Sequence, residues 1–186
     1  MKLAKKTGFK YYCYDKGTCA RYGLSFNTIM YDRNLQLPVN KTEYDMFFLG
    51  FLKDRKVKMM ALYNAMTEGG LKPRFVIVGK KEENLPFDFR DSYVNYFDYL
   101  NMLSRSRAIL DISQSGQDGY SMRVMEAIFF DRKLITTNRY VLDSEFYDKN
   151  NIYVIDLGQI NANEIRDFFD LEFHPYPESV KEFYSF

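Results

Sequence analysis

From Tyr44 onward, short apolar runs of strand length alternate with longer segments that have helical periodicity. The predicted strands are YDMFFLG (44–50), RFVIVG (74–79), DSYVNY (91–96), AILDIS (108–113), KLITT (133–137) and IYVID (152–156). A short apolar run that closes on a turn residue is typical of a buried strand, and the first two runs end in glycine. Strands that alternate with helices indicate a parallel sheet covered by helices on both faces.

The longest predicted helix is DRKVKMMALYNAMTEGG (54–70), which ends at two glycines, as helices commonly do. Its apolar residues recur at helical spacing: Val57, Met60, Tyr63 and Met66. Shorter helices are predicted near 99–105, 139–147 and 161–170. This order of elements favours an α/β, doubly wound (Rossmann-like) fold with a mostly parallel six-stranded sheet, helices on both faces and a switch point beside the first strand.

The first 40 residues differ from the rest, because they mix aromatic and turn residues without a sustained period. We expect an N-terminal arm over 1–40, with one short helix, and a Rossmann-like domain over 41–186. Cys13 and Cys19 have a spacing that fits no common zinc or redox motif, so a reduced pair is expected.

Composition excludes several classes of function. The formal net charge of +1 argues against nucleic-acid binding, which normally requires a clearly basic domain. No segment has the apolar length of a signal peptide or a membrane span, so a cytoplasmic protein is predicted. His174 is the only histidine and lies far from the predicted strand-end loops, which disfavours Ser-His-Asp and Cys-His hydrolases.

Ligands of doubly wound sheets bind at the carboxyl ends of the strands, near the switch point. Three predicted loops meet there: 50–56, 79–81 and 113–123. Glycines permit close approach of the backbone to a ligand, and cations and helix N-termini attract anions. The loops therefore predict a diphosphate site. Its candidate residues are Gly50, Lys53, Arg55, Lys56, Gly79, Lys80, Gly119, Ser121, Met122 and Arg123. The alternative is that KDRK (53–56) is a solvated helix start, although cations there oppose the helix dipole.

Glu126 is a carboxylate in an otherwise apolar helix, among Val124, Met125, Ile128 and Phe129. A buried carboxylate needs hydrogen-bond donors. A ribose diol would supply two hydroxyls, as it does to the acidic residue of dinucleotide folds. The alternative is a salt bridge from Glu126 to Arg123 or to a nearby lysine.

The segment SGQDGYSMRVMEAIFFDRKLITTN (115–138) places Asp118 eight residues before Glu126. An acid, seven residues and a glutamate resemble the signature of retaining glycosyltransferases of the GT-B type. The run from 117 to 138 is similar to the bacterial capsule and lipopolysaccharide biosynthesis branch. FFLGFLKDRK and FVIVG lie where that branch carries its first donor-domain strands, and YDKGTCARYGLSFNTIMY resembles its interdomain segment.

The resemblance implies a nucleotide-sugar-binding domain, the donor half of a GT-B enzyme. Asp118 would contact the donor sugar. Negative charge on the departing diphosphate would be stabilised by Lys53, Arg55, Lys56, Arg123 and backbone N–H groups. The helix N-terminus would hold the diphosphate, and Glu126 would hold the ribose. Asp118 replaces the usual glutamate, which shortens its reach to the sugar. The sequence has no D-x-D triplet, so we expect a metal-independent site with no cofactor.

The expected function is transfer of a sugar from a UDP- or GDP-linked donor to a glycan or lipid-linked acceptor, in cell-surface polysaccharide biosynthesis. The acceptor-binding half is absent from this sequence, so an acceptor-domain partner is expected, with at most peripheral association at the inner face of the membrane. The alternative is a non-catalytic nucleotide-sugar-binding module that works with a partner subunit. A receiver-like regulatory domain is disfavoured, because no acidic cluster follows the first strand.

Overall fold

A computed structural model describes residues 8–113 and 119–186 of the chain. Its strands are β1 (Tyr12–Cys13), β2 (Ser25–Phe26), β3 (Tyr44–Gly50), β4 (Pro73–Val78), β5 (Asp88–Arg90), β6 (Ser106–Asp111), β7 (Lys133–Thr136) and β8 (Ile152–Val154). Its α-helices are α1 (Lys16–Tyr22), α2 (Lys56–Glu68), α3 (Tyr96–Leu103), α4 (Met122–Phe129), α5 (Ala162–Asp170) and α6 (Glu178–Phe183). Two 3-10 turns span Lys53–Arg55 and Arg139–Asp143.

Six strands form one parallel sheet in the order β5-β4-β3-β6-β7-β8. Numbered from β3, this is the doubly wound order 3-2-1-4-5-6, so the predicted α/β fold is confirmed. The chain leaves β3 toward one edge and returns at β6 toward the other. The switch point therefore lies between the carboxyl ends of β3 and β6.

The sheet is buried because its strands are apolar on both faces and helices cover each face. On one face, α2 and α5 bury Met59, Leu62, Met66, Phe168 and Phe169 against the strands. On the other face, α3, α4 and α6 contribute a second cluster that includes Leu100, Leu103, Ile128, Val180 and Tyr184.

Several predictions differ from the structure. The segment near 139–147 is a short 3-10 turn, Arg139–Asp143, and not a longer helix. The third strand of the sheet is β5 at 88–90 and not 91–96, because Asn95 caps α3 by accepting a hydrogen bond from the Asp98 N–H. That cap also starts α3 at Tyr96 instead of 99. The buried stripe of α2 runs through Met59 and Leu62, which leaves Val57 exposed. Helix α6 was not anticipated.

The arm contains the expected short helix, α1, which Asp15 caps by accepting a hydrogen bond from the Thr18 N–H. Tyr31 is 1% exposed, packs its ring against Phe129 and Phe130, and pairs through its backbone with the chain near Tyr184. The other six aromatic side chains of the arm keep 40% or more of their surface exposed: Phe9, Tyr11, Tyr12, Tyr14, Tyr22 and Phe26. Tyr31 thus anchors the arm to the domain, and these aromatic side chains remain on the surface.

Three smaller features also bear on the sequence analysis. Cys13 and Cys19 are free thiols. Within 8–113 and 119–186, no helix is both long enough and apolar enough to cross a membrane. His174 interacts through Nδ1 with the Asp148 carboxylate at 2.7 Å, which is a structural contact outside the strand-end loops.

Candidate functional site

A cleft of about 500 Å³ lies at the switch point, over the carboxyl ends of β3 and β6. Loops that follow these strands form its walls, and the first residues of α4 form one end. The predicted site residues that line it are Gly50, Lys53, Arg55, Gly119, Ser121, Met122 and Arg123. The structure therefore brings together two of the three predicted loops.

Arg123 is held against the wall of the cleft by contacts with the end of β3. Its Nη2 donates to the Leu49 carbonyl at 2.6 Å, and its guanidinium lies 5.2 Å from the centroid of the Phe48 ring. Gly50 makes room for it, because a Cβ at this position would lie 3.3 Å from Arg123 Nη2. A guanidinium carries five N–H donors, so this arrangement fixes the group and leaves donors for a ligand.

Arg55 ties the two loops of the switch point together. Its Nη1 donates to the Ile112 carbonyl after β6 (3.0 Å), and its Nη2 donates to the Phe51 carbonyl after β3 (2.8 Å). Its guanidinium also lies over the Phe48 ring, 5.5 Å from the centroid. Burial, followed by the neighbouring Arg123 guanidinium, lowers the pKa of Arg55. Two arginines therefore share one aromatic ring at the edge of the sheet, where their like charges favour an anion between them.

Asp111, the last residue of β6, orients the start of α4. The carboxylate is 1% exposed and accepts hydrogen bonds from Ser121 Oγ at 2.8 Å and from Thr136 Oγ1 at 2.9 Å. Ser121 precedes α4 but makes no capping hydrogen bond with its side chain. The first backbone N–H groups of the helix thus remain available to a ligand. Asp111 was not among the predicted site residues, because in the sequence it lies within a mostly apolar predicted strand, 108–113.

Gly119 lies under the arm. Its N–H donates to Asp15 Oδ2 at 3.1 Å, and its carbonyl accepts from Asn138 Nδ2 at 3.2 Å. A Cβ at Gly119 would lie 2.4 Å from Tyr14 Cδ2 and 2.5 Å from the Tyr14 carbonyl oxygen. The absence of a side chain at this position is what lets the arm close over the loop before α4.

We predict that Gly119→Ala destabilises the protein by about 1–3 kcal/mol, because the added methyl collides with the Tyr14 backbone. Urea unfolding measures this loss, and limited proteolysis should cut the displaced arm faster. Gly158→Ala is a suitable control, because its Cβ would meet only the Asp156 side chain. Equal stability of the Gly119→Ala variant and wild type would contradict the contact.

The three predicted lysines differ in position, and of these Lys53 alone lines the cleft. Lys53 has a left-handed backbone (φ 48°) and reaches the rim of the cleft. The Lys56 ammonium pairs with the Glu82 carboxylate, and Lys56 does not line the cleft. Gly79 and Lys80 line a separate shallow hollow beyond β4. Lys53 lines both this hollow and the cleft.

Glu126 is 2% exposed and its carboxylate accepts hydrogen bonds from two tyrosines of α3. Tyr96 donates to Oε1 at 2.9 Å, Tyr99 donates to Oε2, and the Tyr96 hydroxyl also contacts the Tyr31 hydroxyl. Burial raises the pKa of Glu126 to about 7, against the opposing effects of these hydrogen bonds and of Arg123. No ion pair from Glu126 to Arg123 or to a lysine is present in the described part of the chain, so the salt-bridge alternative is wrong there.

Asp118, predicted to contact the donor sugar, lies outside the described residues. In 8–113 and 119–186, no three His, Cys, Asp or Glu side chains are grouped to hold a metal ion. Metal independence of the site stays a prediction.

No protein-family model and no curated protein matches the sequence. Among solved structures, the fold is similar to the C-terminal domain of a glycosyl transferase group 1 family protein (LpcC) from Francisella tularensis. The two share 11% sequence identity with a TM-score of 0.51, over 75% of this chain and 86% of that domain. At this identity the similarity shows a shared fold.

Proposed function

We propose that this chain is the donor-binding part of a glycosyltransferase and that the cleft at the switch point binds the diphosphate of a nucleotide sugar. The observation that carries the proposal is the pair of guanidiniums of Arg55 and Arg123 on the Phe48 ring, beside the first N–H groups of α4. The shared fold with a domain described as a glycosyl transferase supports it.

The chemistry of this site is electrostatic. When the sugar leaves its nucleotide, negative charge grows on the diphosphate. Fixed N–H donors of Arg123 and of the α4 N-terminus would stabilise that charge without reorganisation, and Lys53 adds a mobile cation at the rim. Arg55 mainly positions the two loops, since both of its terminal nitrogens already donate to carbonyls. In this proposal Asp118 contacts the donor sugar.

Glu126 is proposed to bind the ribose. Because both of its carboxylate oxygens already accept tyrosine hydroxyls, a ribose hydroxyl would replace one of them. Tyr96 is the one to move, since it is 36% exposed whereas Tyr99 is 8% exposed. The exchange leaves the number of hydrogen bonds to the carboxylate unchanged, and Tyr96 gives up its contact with the Tyr31 hydroxyl as it moves.

The finer identity of the reaction follows from the sequence resemblance. We propose a UDP- or GDP-linked donor, a glycan or lipid-linked acceptor, and a role in bacterial cell-surface polysaccharide biosynthesis beside the inner face of the membrane. An acceptor-binding domain would complete the enzyme. The exposed aromatic surface of the arm is a suitable place for that domain to pack, because burying it removes apolar area from water.

Thermal unfolding with UDP or GDP tests the proposal. At a concentration one hundred times Kd, a ligand that binds only the folded state adds about 2.7 kcal/mol, which raises Tm by about 5–10 °C for a chain of this size. The nucleotide should raise Tm by the same amount in the presence of magnesium and in the presence of EDTA. An unchanged Tm with every nucleoside diphosphate at millimolar concentration would refute the diphosphate site. A shift without sugar transfer in the presence of an acceptor domain would indicate a non-catalytic binding module.

A further inference from the structure

A larger hollow, of about 780 Å³, adjoins the switch-point cleft on its other side. It runs over the carboxyl ends of β6 and β7 and along the edge strand β8. The two cavities share Lys53, Arg55, Ile112 and Ser113 as a common wall. Molecules bound in the two cavities would therefore be neighbours across the Arg55 guanidinium.

The hollow is strongly cationic in a chain that is almost neutral. Five basic side chains line it: Lys53, Arg55, Lys58, Arg139 and Lys149. Its lining includes two carboxylates, Asp54 and Asp156, which leaves an excess of three positive charges where the whole chain has a formal charge of +1.

These cations are not neutralised by ion pairs. Among the residues that the structure describes, none of the five has a carboxylate oxygen within 4.0 Å, although Lys56 next to them pairs with Glu82. The Nε of Arg55 is a buried donor without a hydrogen-bond partner in the same part of the chain. Like charges gathered around a concave surface raise the local potential and attract an anion.

We propose that this hollow binds the anionic group of the second substrate, a phosphate or carboxylate on the acceptor. The inference rests on the proposed function, in which the acceptor lies between the acceptor-binding domain and this chain and therefore beside the donor. The shape favours a small anionic sugar over a nucleic acid or a membrane surface, since the cations line a cavity and the rest of the chain has no basic excess.

The test measures binding of glucose 6-phosphate, glucuronate and glucose by calorimetry, with and without saturating UDP or GDP. We expect the two anionic sugars to bind in the presence of the nucleotide and glucose to bind at least about tenfold more weakly, because a charged hydrogen bond is lost. The stronger of the two anions identifies phosphate or carboxylate as the preferred group.

Lys58→Glu/Lys149→Glu should weaken the anionic sugar at least about tenfold while leaving nucleotide affinity unchanged, since both lysines line only this hollow and are exposed. Lys41→Glu/Lys72→Glu is the matched control. It makes the same two charge reversals at exposed lysines before β3 and β4, at the amino ends of the strands.

The outcomes separate this proposal from the proposed function. Sugar binding that survives the double reversal, that nucleotide abolishes, or that is no stronger than that of glucose would overturn the anionic subsite. If wild type binds the anionic sugar but no nucleotide, and the double charge reversal weakens the sugar, the diphosphate cleft is refuted. The hollow would then remain an anion site.

Discussion

Arg123→Met is expected to weaken binding of UDP or GDP by about ten- to a hundredfold. The variant keeps a long apolar side chain over Phe48 but removes the charged donors that line the cleft, and a charged hydrogen bond contributes about 1.5–3 kcal/mol. Stability should fall only by about 1 kcal/mol, because the Leu49 carbonyl loses a single donor. Calorimetric titration gives the affinity, and urea unfolding of the free protein gives the stability.

Arg107 supplies a matched control for this substitution. It also donates to a backbone carbonyl, that of Phe169, and its guanidinium lies 5.0 Å from the centroid of the Phe169 ring. It lies near the start of β6, at the opposite edge of the sheet. Arg107→Met should therefore destabilise the fold at least as much, because it also loses the ion pair with Asp45, and should leave nucleotide binding unchanged. If Arg123→Met binds nucleotide as tightly as wild type, Arg123 does not hold the diphosphate.

Glu126→Gln is expected to change how stability depends on pH. The pKa of Glu126 rises from 4.5 to about 7 on folding, so between these values the folded state binds more protons than the unfolded state. The free energy of unfolding of wild type therefore falls through this residue as pH rises from about 4.5 to about 7, by up to about 3 kcal/mol. The variant lacks this titrating proton. Between pH 4.5 and pH 8 its free energy of unfolding should therefore rise, relative to that of wild type, by the same amount.

Urea unfolding at pH 4.5, 6 and 8 checks this expectation. The amide preserves the shape of the side chain, and the tyrosine hydroxyls can rotate to accept as well as donate. Glu68→Gln removes an exposed carboxylate at the end of α2 and serves as the control. Parallel pH profiles of wild type and Glu126→Gln would show that burial does not raise the pKa of Glu126 on folding.

The same variant tests the ribose proposal. If Glu126 binds the ribose, Glu126→Gln should lower nucleotide affinity by about one to two orders of magnitude at pH 8, through loss of a charged hydrogen bond. Wild-type affinity in a variant with the altered pH profile would assign the carboxylate to packing between α3 and α4 alone.

Local patterns were enough to predict the architecture. Apolar runs alternating with helical segments specify strands buried on both faces, and such strands in this number adopt the doubly wound order. The edge strand β5 was misplaced because its three residues alternate exposed and half-buried, and carry no apolar run. A strand at the edge of the sheet is only partly buried, so it does not need an apolar run.

The loops of the candidate site could be predicted, but their contacts could not. Gly50 and Arg123 were identified because glycines and cations at strand ends are local signals. Asp111 was missed because its two hydroxyl donors come from residues 10 and 25 positions later in the chain. For Glu126, burial was predicted, whereas the donors, two tyrosines of α3, depend on how α3 packs against α4.

A crystal structure of the protein with UDP or GDP tests the central claim most directly. We expect the diphosphate at the switch point, with phosphate oxygens about 2.7–3.2 Å from the Arg123 guanidinium and from the first backbone N–H groups of α4. A diphosphate bound elsewhere on the molecule, with the cleft between β3 and β6 unoccupied in the same crystal, would contradict it.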